Sequence, residues 1–452
     1  MSKIRTIVVQ DAEVDDQNSL RHLLLYSNDI EIQGIIQTSS KFHYKGDEQH
    51  EPFRWTGTAW MNDVMDDYAV AYEHLKYHGD YPEADDLRNL IKIGNIDYVG
   101  EMSKKTEGSE WLVSKMLDDD PRPLYVQIWG GTNTLAKALK DIEDEYPEHK
   151  ALVEKKVIVT SCGEQDETYR SYIAESYPNL MFVDCTQIGS YGYGWKTMPE
   201  YSGKRTFDNE FMKNIIDKGP LMNHYATWYD GKYYVGEEER SQFGSNKELL
   251  SNWWGSKYGL GTHEPYNFLS EGDSPTYFCL LPFGLRTLED FSNGSLSGRF
   301  VKDQNERNSK NQLLNYYKPV DEDFVDENGN ICKTESMWRY VETINDDFAL
   351  RASWCVSDEQ YSYPFIECDD EYLACADETL KIPIISNGKL SCRFYKEAST
   401  CDGVEIKNTD TGINVTVPSN AKSGNYIHII VESCISAKYT LRKFKEIHIK
   451  II

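Results

Sequence analysis

The stretch IRTIVVQDAEVDD, Ile4 to Asp16, decides how this chain is read. Arg5 to Val9 is a short apolar run of the kind that forms a buried strand. Asp11, Glu13, Asp15 and Asp16 follow it at once, and Gln17 to Tyr26 (QNSLRHLLLY) then takes up helical periodicity. An apolar strand that ends in carboxylates and opens a helix is the start of an alternating α/β unit. The pattern repeats outward. Ile30 to Thr38, Pro123 to Trp129, Val157 to Thr160 and Leu180 to Val183 read as further strands, each joined to a helical segment. The expected core is a mostly parallel sheet flanked by helices on both faces, with its ligand site at the carboxyl ends of the strands.

The texture changes after about Asp347. From Leu380 onward, runs such as KLSCRFY, INVTV, YIHIIVES and KFKEIHIKII are separated by turn signals such as SNGK and PSNAKSG. Short strands at this spacing predict an all-β sandwich of the immunoglobulin-like type. The expected division is an α/β domain over 1–345 and a β-sandwich over 346–452. The polar segment from Lys310 to Trp338 is expected to be an irregular excursion leading to a helix over Ser336–Phe348.

Composition limits the partners. The 452 residues carry 48 Lys and Arg against 74 Asp and Glu, a net charge of −26. Such a surface repels phosphate backbones and anionic lipid, so nucleic-acid polymers and membranes are excluded as default partners. The 31 Tyr, 16 Phe and 10 Trp are too many aromatics for a disordered acidic chain. No apolar run approaches the ~20 residues of a transmembrane helix. Residues Ile7 to Val9 are too short for a signal-peptide core, so a cytoplasmic location is expected. The 10 cysteines form no CxxC pair and are expected as free thiols, although six of them fall from Cys355 onward.

The four carboxylates between Asp11 and Asp16 repel one another unless something positive neutralises them. A hard divalent cation does this through oxygen ligands, and a carboxylate beside such an ion can activate water. Helix capping explains one or two acidic residues here through hydrogen bonding and the helix dipole. The residues alone leave both readings open. Two other segments supply matching parts: GGTNTLAKAL (Gly130 to Leu139), which opens a helix after a strand, and EGDSPTYF (Glu271 to Phe278).

On these segments the chain resembles the calcium-dependent nucleoside hydrolases. VVQDAEVDD is similar to their pattern of Asp, three residues, then Asp-Asp, which falls on Asp11, Asp15 and Asp16. GGTN is similar to their Gly-x-x-Thr-Asn turn, and Asp273 falls on their late aspartate. The chain more closely resembles one branch, the nucleoside-hydrolase-like proteins often labelled cellulose-binding. That likeness runs through DAEVDDQNSL, RWTGTAW, KIGNIDYVGEM, DDDPRPLYVQIWGGTNTLAKAL, EQDETYRSYIAESYPNLMFV and NDDFALRASWCV, and into LSCRFYKEAST and GNYIHIIVES of the β-rich tail.

The resemblance implies a Ca2+ site built by Asp11, Asp16, the Thr132 carbonyl and Asp273. It implies that Asp11 is also the base for an attacking water and that Asp15 holds sugar hydroxyls. Asn133, Gln165, Asp166 and Trp195 are expected to bind substrate, with a plain polar loop as the alternative for Gln165 and Asp166 and a core role as the alternative for Trp195. The resemblance is incomplete where some nucleoside hydrolases place a His just before the late aspartate, because Gly272 stands there. Glu271 is expected to supply the proton to the leaving group instead, the alternative being a supporting partner to the metal loop. The Asn that usually follows the second strand has no counterpart among Ser39, Ser40 and His43. Trp55, Trp60, Trp129, Trp253 and Trp254 are further stacking candidates, each with a core role as the alternative. Ser190 to Thr197 (SYGYGWKT) is expected to be a mobile lid.

The expected function is calcium-dependent hydrolysis of a glycosidic bond, an N-riboside or an O-glycoside, in a small sugar or nucleoside-like substrate. The alternative is a non-catalytic carbohydrate-binding protein of the cellulose-binding type with a relic site. A structural or interaction role for the sandwich is a third reading. A homodimer is a possible assembly.

Overall fold

The computed structural model describes residues 3–237, 263–325 and 331–452. Trp253 and Trp254 lie outside the described residues.

An eight-stranded sheet forms the centre, with spatial order β3-β2-β1-β4-β5-β6-β8-β7. The strands are β1 (Ile4–Gln10), β2 (Ile30–Gln37), β3 (Ile91–Ile93), β4 (Leu124–Ile128), β5 (Val157–Ser161), β6 (Met181–Asp184), β7 (Phe300–Lys302) and β8 (Tyr316–Pro319). All neighbours run parallel except β7, which is antiparallel to β8 at the edge. A parallel sheet buried on both faces needs apolar residues on both sides of each strand. In β1, Val8 joins one core cluster while Ile7 and Val9 join the other. Leu20, Leu23 and Leu24 of α1 (Val14–Leu24) cover the first face, together with α2 (Trp60–Leu75). The short helix α3 (Ala84–Arg88) adds Leu87 to the same cluster. Leu112 and Met116 of α4 (Glu107–Met116), and Leu135, Leu139 and Ile142 of α5 (Asn133–Glu145), cover the second.

The strand order reverses between β1 and β4, so their carboxyl ends open a crevice at the topological switch point. There the backbones pack closely. A Cβ on Gly130, just after β4, would meet Asp11 Cβ at 2.7 Å.

The segment Lys310–Trp338 is not merely an excursion. It contributes β8 to the central sheet, then the hairpin of β9 (Asp321–Val325) and β10 (Ile331–Glu335). Strands this short and polar carry no alternating signal in sequence. The helix Val341–Trp354 follows, and the expected boundary at 345/346 falls inside it. Its Ile344, Phe348 and Leu350 sit in the first core cluster with α1 and α2.

The C-terminal region is strand-rich and antiparallel except where Glu371–Ala374 pairs in parallel with the last strand. Two residues each from β11 (Ile366–Glu367) and β14 (Ile385–Ser386) pair at its start. One sheet has the order β12-β19-β18-β15, with β12 (Glu371–Ala374), β15 (Lys389–Phe394), β18 (Tyr426–Ser436) and β19 (Thr440–Ile451). A second has β13 (Thr379–Pro383), β17 (Gly412–Thr416) and β16 (Glu405–Thr409). Residues Ile413 and Val415 share an apolar core with Ile427, Ile429, Ile447 and Ile449. The region docks on the α/β part through main-chain bonds, Phe444 N to Phe283 O at 2.9 Å and Glu446 N to Gly284 O at 3.2 Å. Gly284 has φ +94°, and a Cβ there would lie 1.9 Å from Phe444 O, so the contact requires glycine. Among the described residues no helix is long and apolar enough to cross a membrane.

Candidate metal centre and its cavity

At the switch point, β1 delivers the chain into the acidic loop. Ala12 takes φ +69°, a left-handed conformation that a non-glycine residue adopts at a cost of ~1 kcal/mol or more. The kink turns Asp11 and Glu13 toward one side. The N-cap of α1 is Glu13, whose side chain makes no capping bond, and Asp15 and Asp16 lie in the first helical turn. Capping therefore does not account for the cluster. The loop is tied internally by Asp11 N donating to Asp16 Oδ1 at 3.1 Å and Glu13 N donating to Asp11 Oδ1 at 3.4 Å.

Asp273 arrives from the loop after Ser270 and completes a buried trio with Asp15 and Asp16. One carboxylate oxygen from each lies within 4.8 Å of the others. Ser270 Oγ donates to Asp15 Oδ2 at 3.3 Å, while Asp273 Oδ2 has no hydrogen-bond partner. Burial pushes the Asp16 carboxyl well above the usual carboxylate range, and the charges of Asp11, Asp273 and Asp15 push it further. Asp273 rises for the same reasons, burial first and then Asp15, Asp11 and Glu13. Buried like charges of this kind are stable as anions only beside a cation. The donors are all oxygens, which suits a hard divalent ion. The residues present thus fit a metal ion.

A second group joins the first. Asp11, Glu13 and His43 bring ligand atoms within 4.8 Å of one another, and His43 Nδ1 lies 3.8 Å from Asp11 Oδ2. On its other side His43 Nε2 meets Glu237 Oε1 at 2.5 Å, and Arg54 pairs with Glu237 at 3.1 Å. Burial disfavours the imidazolium, but bonding to Asp11 and Glu237 raises its pKa to about 10. Burial raises Asp11 in turn, yet the His43 contact outweighs it and holds this carboxyl below its ordinary value. Asp11 is an anion paired with a cation, while Asp16 and Asp273 have no such partner among the described residues.

A cavity of about 280 Å³ opens over these carboxylates. That lies near the lower end for small-molecule sites, ~300–1,000 Å³. Glu13, Asp15, Asp16 and Asp273 line it, with half-buried Phe42 and the edge of Tyr193 as its aromatic surface, while Trp129 behind them is wholly buried. The Trp129 indole N–H points into the core, donating to Thr276 Oγ1 at 2.7 Å, so its ring is held rigidly. Tyr193 Oη donates to Glu13 Oε1 at 3.3 Å. Cys162 also lines the cavity, and burial and then Asp273 and Asp15 push its thiol well up.

Several expected positions fall elsewhere. The Thr132 carbonyl accepts from Ala136 N at 2.8 Å as part of α5, and its hydroxyl bonds Asp166 and Thr168. The strand-end residue that lines the cavity is Trp129. Asn133 is fully buried and spends its amide on Ser39 Oγ, Asn95 O and Glu101 O. Asp166 accepts from Thr132 Oγ1, Thr168 N and Asn133 N, and so shapes the turn rather than facing the cavity. Gln165 does line the cavity, donating to Trp129 O.

Trp195 is wholly buried, with its N–H on Phe268 O at 3.0 Å and its ring 5.2 Å from Phe207. The expected lid is a packed wall, in which Tyr191 and Trp195 face the core and Tyr193 faces the cavity.

Glu271 is corrected most sharply. Its carboxylate is fully buried, 2.8 Å from His22 Nδ1, and accepts from Tyr225 Oη and Ser274 Oγ. His22 stacks on Phe348 at 3.6 Å. Glu271 therefore braces the Asp273 loop against α1 and the helix Val341–Trp354, and it is not placed to protonate a leaving group. The His43–Glu237 pair, Cys162, Phe42 and Tyr193 were not assigned from sequence. Only the alternating Tyr and Gly of Ser190–Thr197 signalled any of them, and it did not single out Tyr193 over Trp195.

The chain is similar to a known family and to solved structures. The family described as "Cellulose-binding Sde182, nucleoside hydrolase-like domain" matches residues 5–300. A nucleoside hydrolase-related hypothetical protein from Saccharophagus degradans, described as associated with carbohydrate metabolism, has a TM-score of 0.74. It is 20% identical, and the match covers 100% of both chains. A plant nucleoside hydrolase matches with a TM-score of 0.38 and 12% identity over 77% of this chain and 99% of its own. An inosine-guanosine nucleoside hydrolase has a TM-score of 0.34 and 9% identity over 78% of this chain and 99% of its own. No curated protein sequence matches the chain.

Proposed function

Because the chain belongs to the cellulose-binding Sde182 family of nucleoside hydrolase-like domains, we propose that it is a calcium-dependent hydrolase of a glycosidic bond in a small sugar or nucleoside-like substrate. The observation that carries this reading is the buried trio Asp15, Asp16 and Asp273 beneath an aromatic-lined cavity. A relic site would have no reason to keep such mutually repelling carboxylates.

Asp16 and Asp273 would hold the ion, with Asp15 beside them. Bound Ca2+ would supply positive charge that acidifies water and orients sugar hydroxyls. The remaining roles belong to the chain itself. Asp11 does not line the cavity itself, but it is kept anionic by His43 at its Oδ2, the protonation state a base for water needs. Asp15 orients sugar hydroxyls from the cavity wall. The carboxylates around the ring stabilise positive charge that develops on the sugar. Phe42 offers a face on which a sugar ring stacks.

The test is sugar release from ribonucleosides, aryl glycosides and cello-oligosaccharides, with calcium and again with a chelator. Chelator-sensitive release supports the proposal. The family's cellulose-binding description and the aromatic cavity also favour a second reading, non-catalytic carbohydrate binding. Cello-oligosaccharide binding with no turnover across the panel would select it.

A further inference from the structure

A separate cluster lies on the C-terminal sheet, and it shares no residue with the cavity. His428 of β18 stands directly opposite His448 of β19, so both side chains leave the same face of the ladder. Glu446 lies two residues before His448 and joins them on that face. The ligand atoms of all three lie within 4.8 Å of one another. Glu446 Oε1 sits 3.2 Å from His428 Nδ1 and 3.2 Å from His448 Nε2. Its other oxygen accepts from the backbone N–H of Arg286 and of Gly294, each at 3.2 Å. Glu446 is fully buried and His428 nearly so.

We propose that His428, Glu446 and His448 form a zinc site that fastens the C-terminal sheet to the Arg286–Gly294 loop. Two imidazoles and one carboxylate are a donor set for zinc rather than calcium. Tetrahedral bonds of ~2.0–2.1 Å put neighbouring ligand atoms roughly 3.3 Å apart, close to the observed spacing. A charge-assisted hydrogen bond from a histidine to a carboxylate runs shorter, at about 2.7–2.9 Å. The two backbone donors fix the Glu446 carboxylate and leave Oε1 aimed at the ring nitrogens. Glu371, which pairs with Arg286 at 2.6 Å, lies 3.8 Å from His448 Nδ1 on the far side of that ring and adds negative charge there. The strongly acidic surface draws cations toward the site.

The competing account is a cluster of hydrogen bonds in which both histidines donate to Glu446. His428→Asn and His448→Gln separate the two, because each amide can replace the ring N–H while being a poor zinc ligand. The full-length protein, stripped of metal and dialysed against zinc, is expected to retain one zinc that both variants lose, and zinc should raise the wild-type Tm only. Asp16→Ala is expected to keep this zinc. Cobalt added to the wild type should give the intense visible bands of a tetrahedral ion, a reading that needs no variant. Equal zinc retention by wild type and variants, zinc lost only with Asp16→Ala, or no tetrahedral cobalt spectrum would overturn the proposal.

Discussion

Glu271 and Asp273 stand two residues apart on one loop and serve opposite sides of it. Asp273 lines the acidic cavity, whereas Glu271 points into the core and meets His22 at 2.8 Å. Gly272 lies between them, and a Cβ there would stand 3.1 Å from Asp15 Oδ2. The core-side bonds of Glu271 therefore set where the Asp273 carboxylate sits. The cavity's geometry depends on a residue that never touches its contents.

This makes Glu271→Gln a stability variant first. A buried hydrogen-bonded charge is worth ~1.5–3 kcal/mol, and Gln keeps the shape while losing the charge. Urea unfolding should show a loss of that order, together with weaker calcium binding as the loop loosens. Unchanged stability with abolished turnover would restore Glu271 as a proton donor.

Asp16→Ala and Asp273→Asn should separate stability from metal binding. Without metal, Asp16 and Asp273 are buried beside like charges, so removing either relieves repulsion. The metal-free variants are expected to melt higher than metal-free wild type by on the order of 1 kcal/mol, or about 1 °C for a chain of this length. Calcium should stabilise the wild type by ~2.7 kcal/mol at a hundredfold excess over Kd, and the variants not at all. Thermal melts with and without calcium measure both effects.

Acid sensitivity follows from the opposite end of the sheet. Fully buried Arg5 meets Asp118, which also pairs with Lys156. Burial raises the Asp118 pKa, but hydrogen bonds from Lys156 and Arg5 outweigh it and hold it below the ordinary value. A depressed carboxyl pKa contributes stability that is present above the unfolded value, ~3.9, and is lost as pH falls through the folded value. Asp118→Asn should therefore lower the Tm at pH 6, and the gap to wild type should close below about pH 4. A gap that stays constant with pH would mean the pair contributes through packing alone.

The α/β half was legible in sequence because its signals are local. Ile7, Val8 and Val9 make a run that only a doubly covered strand can bury, and the carboxylates after it mark the strand's end. The family pattern linked Asp273 to Asp11 and Asp16 as metal ligands, whereas the trio that meets is Asp15, Asp16 and Asp273, with Asp11 grouped instead with Glu13 and His43. The orientation of a group was not legible. GGTN correctly marked a strand-to-helix turn, yet the Thr132 carbonyl is taken by the first turn of α5, and nothing in the residue types reveals that direction. The His43–Glu237 contact joins residues distant in the chain and has no periodicity to announce it. The short edge strands after Lys310 failed for want of alternation.

Tyr193 and Trp195 test the same limit in one segment. Aromatic content alone pointed to Trp195, because a large ring near glycines resembles a sugar platform. Side-chain direction decides otherwise, since Trp195 packs on Phe207 and gives its N–H to Phe268 O, while Tyr193 lines the cavity against Glu13. Trp195→Ala should cost ~3–5 kcal/mol by opening a core cavity. Tyr193→Phe keeps the ring and loses one hydrogen bond, so its stability should change by only about 1 kcal/mol. If the hydroxyl helps hold Glu13 toward the ligand, affinity for the sugar that binds should fall by about tenfold, or ~1.4 kcal/mol. Calorimetric titration of both variants, beside their unfolding curves, separates the two roles. Loss of binding in a Trp195→Phe protein of unchanged stability would return the sugar platform to Trp195.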